Sequence, residues 1–129
     1  MSIKTLKALL AVAAIAVTGG MATSQAQAAN LTPTEVSIIA NSGGEFYGYV
    51  SSSDDDCEAG RKVTLLKMTG KSPNPKVDQK IGFDTAQPNG PDSMWNTGNT
   101  GQRKGKFYAK VSKTSLCGGD ISPVVKALP

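Results

Sequence analysis

Apolar and polar residues alternate most regularly in Lys106-Phe107-Tyr108-Ala109-Lys110-Val111. Phe107, Ala109 and Val111 fall on one side of this segment, and Lys106, Tyr108 and Lys110 on the other. A period of two is what a strand with one buried face requires, so the pattern predicts a strand with the first set inward. Arg61 to Met68 repeats the pattern with Val63 and Leu65 on one face, and Lys80 to Thr85 does so with Ile81 and Phe83 inward. Four further strands are expected: one around Val36, Ile38 and Ile39, the aromatic and β-branched run Phe46 to Ser51, the short Ser93 to Asn96, and Ile121 to Ala127. Gly48 sits where a bulge or a close backbone approach fits, and Pro123 confines the last strand to an edge or an irregular start.

The connections have turn chemistry. Asn41-Ser42-Gly43-Gly44, Pro88-Asn89-Gly90-Pro91 and Cys117-Gly118-Gly119 are turn compositions, and Ser51 to Glu58 is polar throughout. Two prolines and a glycine keep Thr69 to Pro75 out of both helix and central strand. No segment after the first 28 residues carries apolar residues at helical spacing for three turns. The expected fold is all-β, a seven-stranded sandwich, with a small closed barrel as the structural alternative.

The chain opens differently. Lys4 and Lys7 precede the apolar run Ala8 to Val17, and Ala26-Gln27-Ala28 supplies the small residues of a cleavage site. These are the three parts of a secretory signal peptide. The run is too short to cross about 30 Å of hydrocarbon. Residues 1–28 are therefore expected to be removed after Ala28 or Ala26. The remainder, 29–129, is expected to form one domain, secreted, or periplasmic in a host with an outer membrane, with no anchor in its mature form. Without Lys4 and Lys7 the formal charge of +4 falls to +2, which points to no nucleic-acid partner.

Two cysteines in an exported domain imply one disulfide, Cys57–Cys117. A loop of about 60 residues closed in this way is worth about 4 kcal/mol on the chain-entropy account.

There is no histidine, which removes Ser-His-Asp and Cys-His chemistry and the commonest zinc and copper ligand. No enzymatic activity and no cofactor are expected. Asp54, Asp56 and Glu58, in a run that also holds Asp55, are the nearest approach to a Ca²⁺ loop. They lack the spacing, the central glycine and the terminal bidentate glutamate of an EF-hand, so the run is read as a solvated loop. Arg103, Lys104, Lys106 and Lys110 form a basic run, read as the outer face of an amphipathic strand rather than as a polyanion site. Tyr47, Tyr49 and Trp95, with Arg103 and Lys104, make the candidate binding surface. Trp95 serves equally well as a core residue.

Several of these residues together carry a resemblance. Gly48-x-Val50-x-Ser52 is followed by Cys57-x-x-x-Arg61-x-Val63-x-Leu65. Asp84, Gly90 and Trp95 come next, then Gly105-x-Phe107-Tyr108-Ala109-x-Val111 and Cys117. The pattern resembles small exported bacterial Ig-like sandwiches of the transthyretin or carboxypeptidase-regulatory type, over about Tyr47 to Cys117. It departs from them in an extended Thr85 to Pro91 turn and a long Thr97 to Gly105 connector. The resemblance implies a non-catalytic module. The expected function is surface recognition of a protein or glycan at the cell exterior, or a structural role there. The alternative is a small protease inhibitor or toxin-like factor with loop 97–104 exposed.

Overall fold

A computed structural model describes residues 30–129; the expected signal peptide, residues 1–28, lies outside the described residues. Among them no helix is long and apolar enough to cross a membrane.

The architecture is all-β, with two antiparallel sheets and one disulfide. The strands are β1 (Thr34–Val36), β2 (Ile39–Asn41), β3 (Glu45–Ser52), β4 (Lys62–Lys67), β5 (Gln79–Thr85), β6 (Gln87–Asn89), β7 (Asp92–Asn99), β8 (Lys106–Val111), β9 (Asp120–Ile121) and β10 (Val125–Lys126). Sheet I runs β1-β3-β7-β6 with β2 also on β3, and sheet II runs β10-β8-β4-β5 with β9 also on β8. Phe46, Val50 and Trp95 from sheet I meet Val63, Leu65, Phe107, Ala109 and Val111 from sheet II in one core. The Phe46 and Phe107 rings lie 4.7 Å apart, tilted by 40°, the arrangement aromatic quadrupoles favour over a face-to-face stack.

The strand count exceeds the seven expected for two reasons. Each sheet has an edge strand broken in two, and β6 is additional. β1 pairs Thr34–Val36 with Val50–Ser52, and β2 pairs Ile39–Asn41 with Glu45–Tyr47, so they are halves of one edge. β9 and β10 lie along β8 in the same way, on either side of Pro123. Proline cannot donate to the ladder, and Ser122 repairs the break. Its hydroxyl accepts from Ala109 N at 2.8 Å, and its own amide donates to Ala109 O at 2.9 Å. Gln87–Asn89, read from sequence as part of a turn, forms β6 at the edge of sheet I, where Pro88 is tolerated.

One inward assignment is corrected, and one outward residue is buried. Phe83 is 62% exposed, although Ile81 packs on the core. The β4–β5 register shifts between Leu65 and Leu66, leaving Ile81 as the extra residue of a bulge, and parity is lost across it. Phe83 then pairs with Thr64 on the outer face, beneath the Lys62 ammonium at 4.5 Å from its ring centroid. Tyr108, assigned outward, does point away from the sandwich core but is fully buried. The 68–78 connection folds over it and over Leu66, its cross-strand neighbour, and the phenol donates to the Asp78 carboxylate at 2.6 Å.

Candidate functional site

The disulfide joins the turn before β4 to the loop after β8, neighbours in sheet II, with Cα atoms 5.6 Å apart. Arg61 lies beside it, 5% exposed. Its guanidinium donates to Thr34 Oγ1 (3.1 Å), Cys57 O (3.0 Å), Ser112 O (2.7 Å) and Gly118 O (2.9 Å). Only a forked, multi-donor cation reaches four acceptors on four segments from one position. Burial lowers its pKa from the ordinary arginine value. Arg61 and the disulfide together form a structural hub.

The acidic run is built into the same end. Asp54 Oδ1 accepts from Asp56 N at 2.9 Å and caps a single 3₁₀ turn, Asp55–Cys57. Glu58 is buried and accepts from Ser52 N at 2.8 Å. The structure does not bring Asp54, Asp56 and Glu58 together. Among the described residues no group of three or more His, Cys, Asp or Glu side chains is placed to hold a metal ion.

The sequence-based binding surface separates into three places. Tyr47 and Tyr49 share the outer face of sheet I and are half-buried there. Tyr47 pairs with Ile39 on one side and Asn96 on the other, and Tyr49 pairs with Met94. Cross-strand neighbours on one face lie about 4.5–5.5 Å apart at Cβ, so Ile39, Tyr47, Tyr49 and Met94 form one continuous apolar-aromatic patch. Trp95 is not part of it. It is fully buried in the core, its indole donating to Ser37 O at 3.0 Å.

Arg103 and Lys104 are exposed on the β7–β8 connection. The first three residues of the expected 97–104 loop are strand, because β7 continues to Asn99. Residues 99–102 are fixed by side-chain turns, Asn99 Oδ1 accepting from Gly101 N and Thr100 Oγ1 from Gln102 N. Thr100 anchors it through two bonds to Gly44 O, at 2.9 Å from its amide and 2.6 Å from its hydroxyl.

Sequence reasoning missed a groove of about 470 Å³ on the outer face of sheet II. Lys62, Lys80, Lys110 and Lys113 line it, with Thr64 on its floor and Pro75 at its wall. The alternation of Lys62, Thr64 and Leu66 in β4 and of Lys110 in β8 was visible in the sequence. What was missing was the pairing Thr64↔Lys110 and Leu66↔Lys80, which brings lysines from three strands around one threonine.

Compared with known proteins, the chain matches no protein-family model and no curated protein.

Proposed function

We propose that the mature chain is an exported, non-enzymatic Ig-like module whose task is recognition at the cell exterior, through the tyrosine face of sheet I. The strand order supports the Ig-like part of this reading. With β1/β2 as A, β3 as B, β4 as C, β5 as C′, β6 as D, β7 as E, β8 as F and β9/β10 as G, the sheets read A-B-E-D and G-F-C-C′. The disulfide is placed differently from that of antibody domains, since it joins loops of one sheet rather than B to F.

The observation that carries recognition is the patch of Ile39, Tyr47, Tyr49 and Met94. Ile39 is 39% exposed, and the sheet I strands bear no lysine or arginine. Rigid aromatics with a polar tip on a sheet face that bears no cation suit contact with a protein or a sugar face. Capture from culture medium or envelope extract by immobilised mature protein tests this. A partner retained by wild type and lost from Tyr47→Ser/Tyr49→Ser, with thermal unfolding unchanged, supports the reading; equal capture by the double variant refutes it.

One observation favours a second reading, protease inhibition. The chain leading into Arg103 and Lys104 is pinned over residues 99–102 by side-chain bonds, the kind of preorganisation an inhibitory loop needs. A panel of trypsin-like proteases decides it, and rapid cleavage after Arg103 without inhibition removes it.

A further inference from the structure

The modest net charge conceals a separation of charge between the two faces. The strands of sheet I carry Glu35, Glu45 and Asp92 and no cation. Those of sheet II carry Lys62, Lys67, Lys80, Lys106, Lys110 and Lys126. The two acids of sheet II do not offset these at its outer surface, because both reach across to the other sheet. Asp84 accepts from Asn96 N in β7 at 2.8 Å, and Asp120 accepts from Val36 N in β1 at 2.9 Å. Asp78, two residues before Lys80, has both oxygens occupied by donors from Tyr108, Thr69 and Asn74.

The groove gathers this charge. Thr64 is directly opposite Lys110, and Lys62 lies two residues along the same strand. Lys80 is opposite Leu66, two residues the other way. Directly opposed side chains are about 5 Å apart at Cβ and diagonal ones about 7–8 Å. Lys62, Lys80, Lys110 and Lys113 thus line the groove around Thr64, the Lys62 ammonium lying at its edge, 4.5 Å from the Phe83 ring centroid. No carboxylate lines the groove. Like charges left this close, in a concavity walled by Pro75, concentrate positive potential and attract an oxyanion.

We propose that this groove is a binding site for an acidic polysaccharide, taking two or three sulfated or carboxylated sugar units. Three features select that ligand among polyanions. The groove lining itself holds no aromatic ring: Tyr108 is buried under the 68–78 connection, and Phe83, opposite Thr64 at the groove's edge, has the Lys62 ammonium over one face, leaving a single exposed ring where base stacking takes successive aromatics. Its one arginine, Arg61, has its guanidinium engaged by four protein acceptors, so no fork remains for bidentate phosphate recognition. Point-charge ammoniums beside the hydroxyls of Thr64, Ser112 and Thr114 match a ligand that presents both anionic groups and hydroxyls. The site lies on the sheet opposite the tyrosine face and stands independently of it.

The test is calorimetric titration of the mature, oxidised protein with a sulfated heparin-type hexasaccharide, an oligogalacturonate and a single-stranded oligothymidylate, at about 50 and 200 mM salt. Binding of either glycan, weakened by salt and stronger than that of the oligonucleotide, is expected. Lys62→Gln/Lys110→Gln should lower affinity about tenfold and flatten the salt dependence. Arg103→Gln/Lys104→Gln, with the same charge change elsewhere, should leave affinity nearly unchanged, as should Tyr47→Ser/Tyr49→Ser. Absence of glycan binding at the lower salt overturns the proposal. So does equal loss in the two charge-matched variants, or preference for the oligonucleotide. All variants alter exposed or half-buried side chains, and thermal melts confirm that each is folded before titration.

Discussion

The Tyr108 phenol donates to the Asp78 carboxylate at 2.6 Å, and this bond ties the outer face of sheet II to the connection that covers it. Asp78 also accepts from Thr69 N (3.0 Å), Thr69 Oγ1 (2.9 Å) and Asn74 N (2.7 Å). One carboxylate thus organises the β4–β5 connection, a stretch with too many prolines and glycines to form regular structure. The consequence is a second, small buried layer of Tyr108 and Leu66 outside the sandwich core, and a fixed wall, Pro75, for the lysine groove.

Removing the phenol should loosen the connection before it unfolds the domain. Tyr108→Phe keeps the ring and its packing but deletes the donor, at a cost of about 1–3 kcal/mol. Urea unfolding reads the global loss, and limited trypsin digestion reads the local one. Lys71 and Lys76, both exposed on the connection, should be cut faster in the variant while the rest of the chain stays resistant. An unchanged cutting rate would show that the other three donors suffice to hold the connection.

The same pair sets a pH window. The Tyr108 phenol, followed by the backbone amide of Asn74, holds the Asp78 carboxyl down from an ordinary 3.8 to about 2. Its folded value lies below its unfolded one, so its contribution is complete above about pH 4 and is lost as pH falls toward 2. Burial, then the hydrogen bond and charge of Asp78, push the Tyr108 phenol well above its ordinary 10.0. Its folded value lies above the unfolded one, so that contribution is complete below pH 10 and declines as pH rises further. Urea midpoints measured from about pH 2 to 11 should show a plateau with both limbs falling. Asp78→Asn should flatten the acid limb; an acid limb of unchanged slope in that variant would assign it to other carboxylates.

These relationships explain what was legible in the chain and what was not. Strict alternation placed Phe107, Ala109 and Val111 on the core, and Val63 and Leu65 opposite them, because β4 and β8 are central strands paired without a slip. The cysteine pairing was legible from composition alone. Alternation failed at Phe83 because a bulge is a property of the pairing of two strands. It misjudged Tyr108 because burial there comes from a connection that sequence patterning reads as polar surface. The tyrosine face was half legible, in that Tyr47 and Tyr49 do share an outer face while Trp95, in the same aromatic set, is turned into the core. The groove was not legible at all, since it exists only once β4, β5 and β8 are in register.

Arg61 and the disulfide should be coupled. Reduction, or Cys57→Ala/Cys117→Ala, should cost about 4 kcal/mol through the released loop. Arg61→Lys should destabilise by about 2–4 kcal/mol, because one ammonium cannot serve the four acceptors that the guanidinium holds and some buried carbonyls lose their donor. Since Cys57 O and Gly118 O flank the bridge, the losses should fall short of additive when combined. A thermal-unfolding cycle over Arg61→Lys with and without reductant measures this. Strict additivity would show that the arginine and the disulfide stabilise separate parts of the fold.

Gly48 should tolerate no side chain, for a reason that involves two other residues. Between β1 and β2 the chain leaves the regular ladder at Ser37, whose amide donates to Tyr49 O at 2.9 Å while its hydroxyl accepts from Tyr49 N at 3.0 Å. That arrangement turns the Ser37 carbonyl over Gly48, where it receives the buried Trp95 indole. A β-carbon at position 48 would overlap the Ser37 carbonyl oxygen and come within 2.9 Å of Trp95 Nε1. Gly48→Ala therefore has to displace either the edge strand or the central tryptophan, and both lie in one packed core. The expected outcome is failure to accumulate as folded protein or, if some folds, a large drop in melting temperature. Trp95 is the only tryptophan, so its emission reports on this site alone. A folded Gly48→Ala protein with blue-shifted, wild-type-like emission would mean that the edge strand had moved instead. Loss of protection confined to β1 and β2 in hydrogen exchange would then identify that movement.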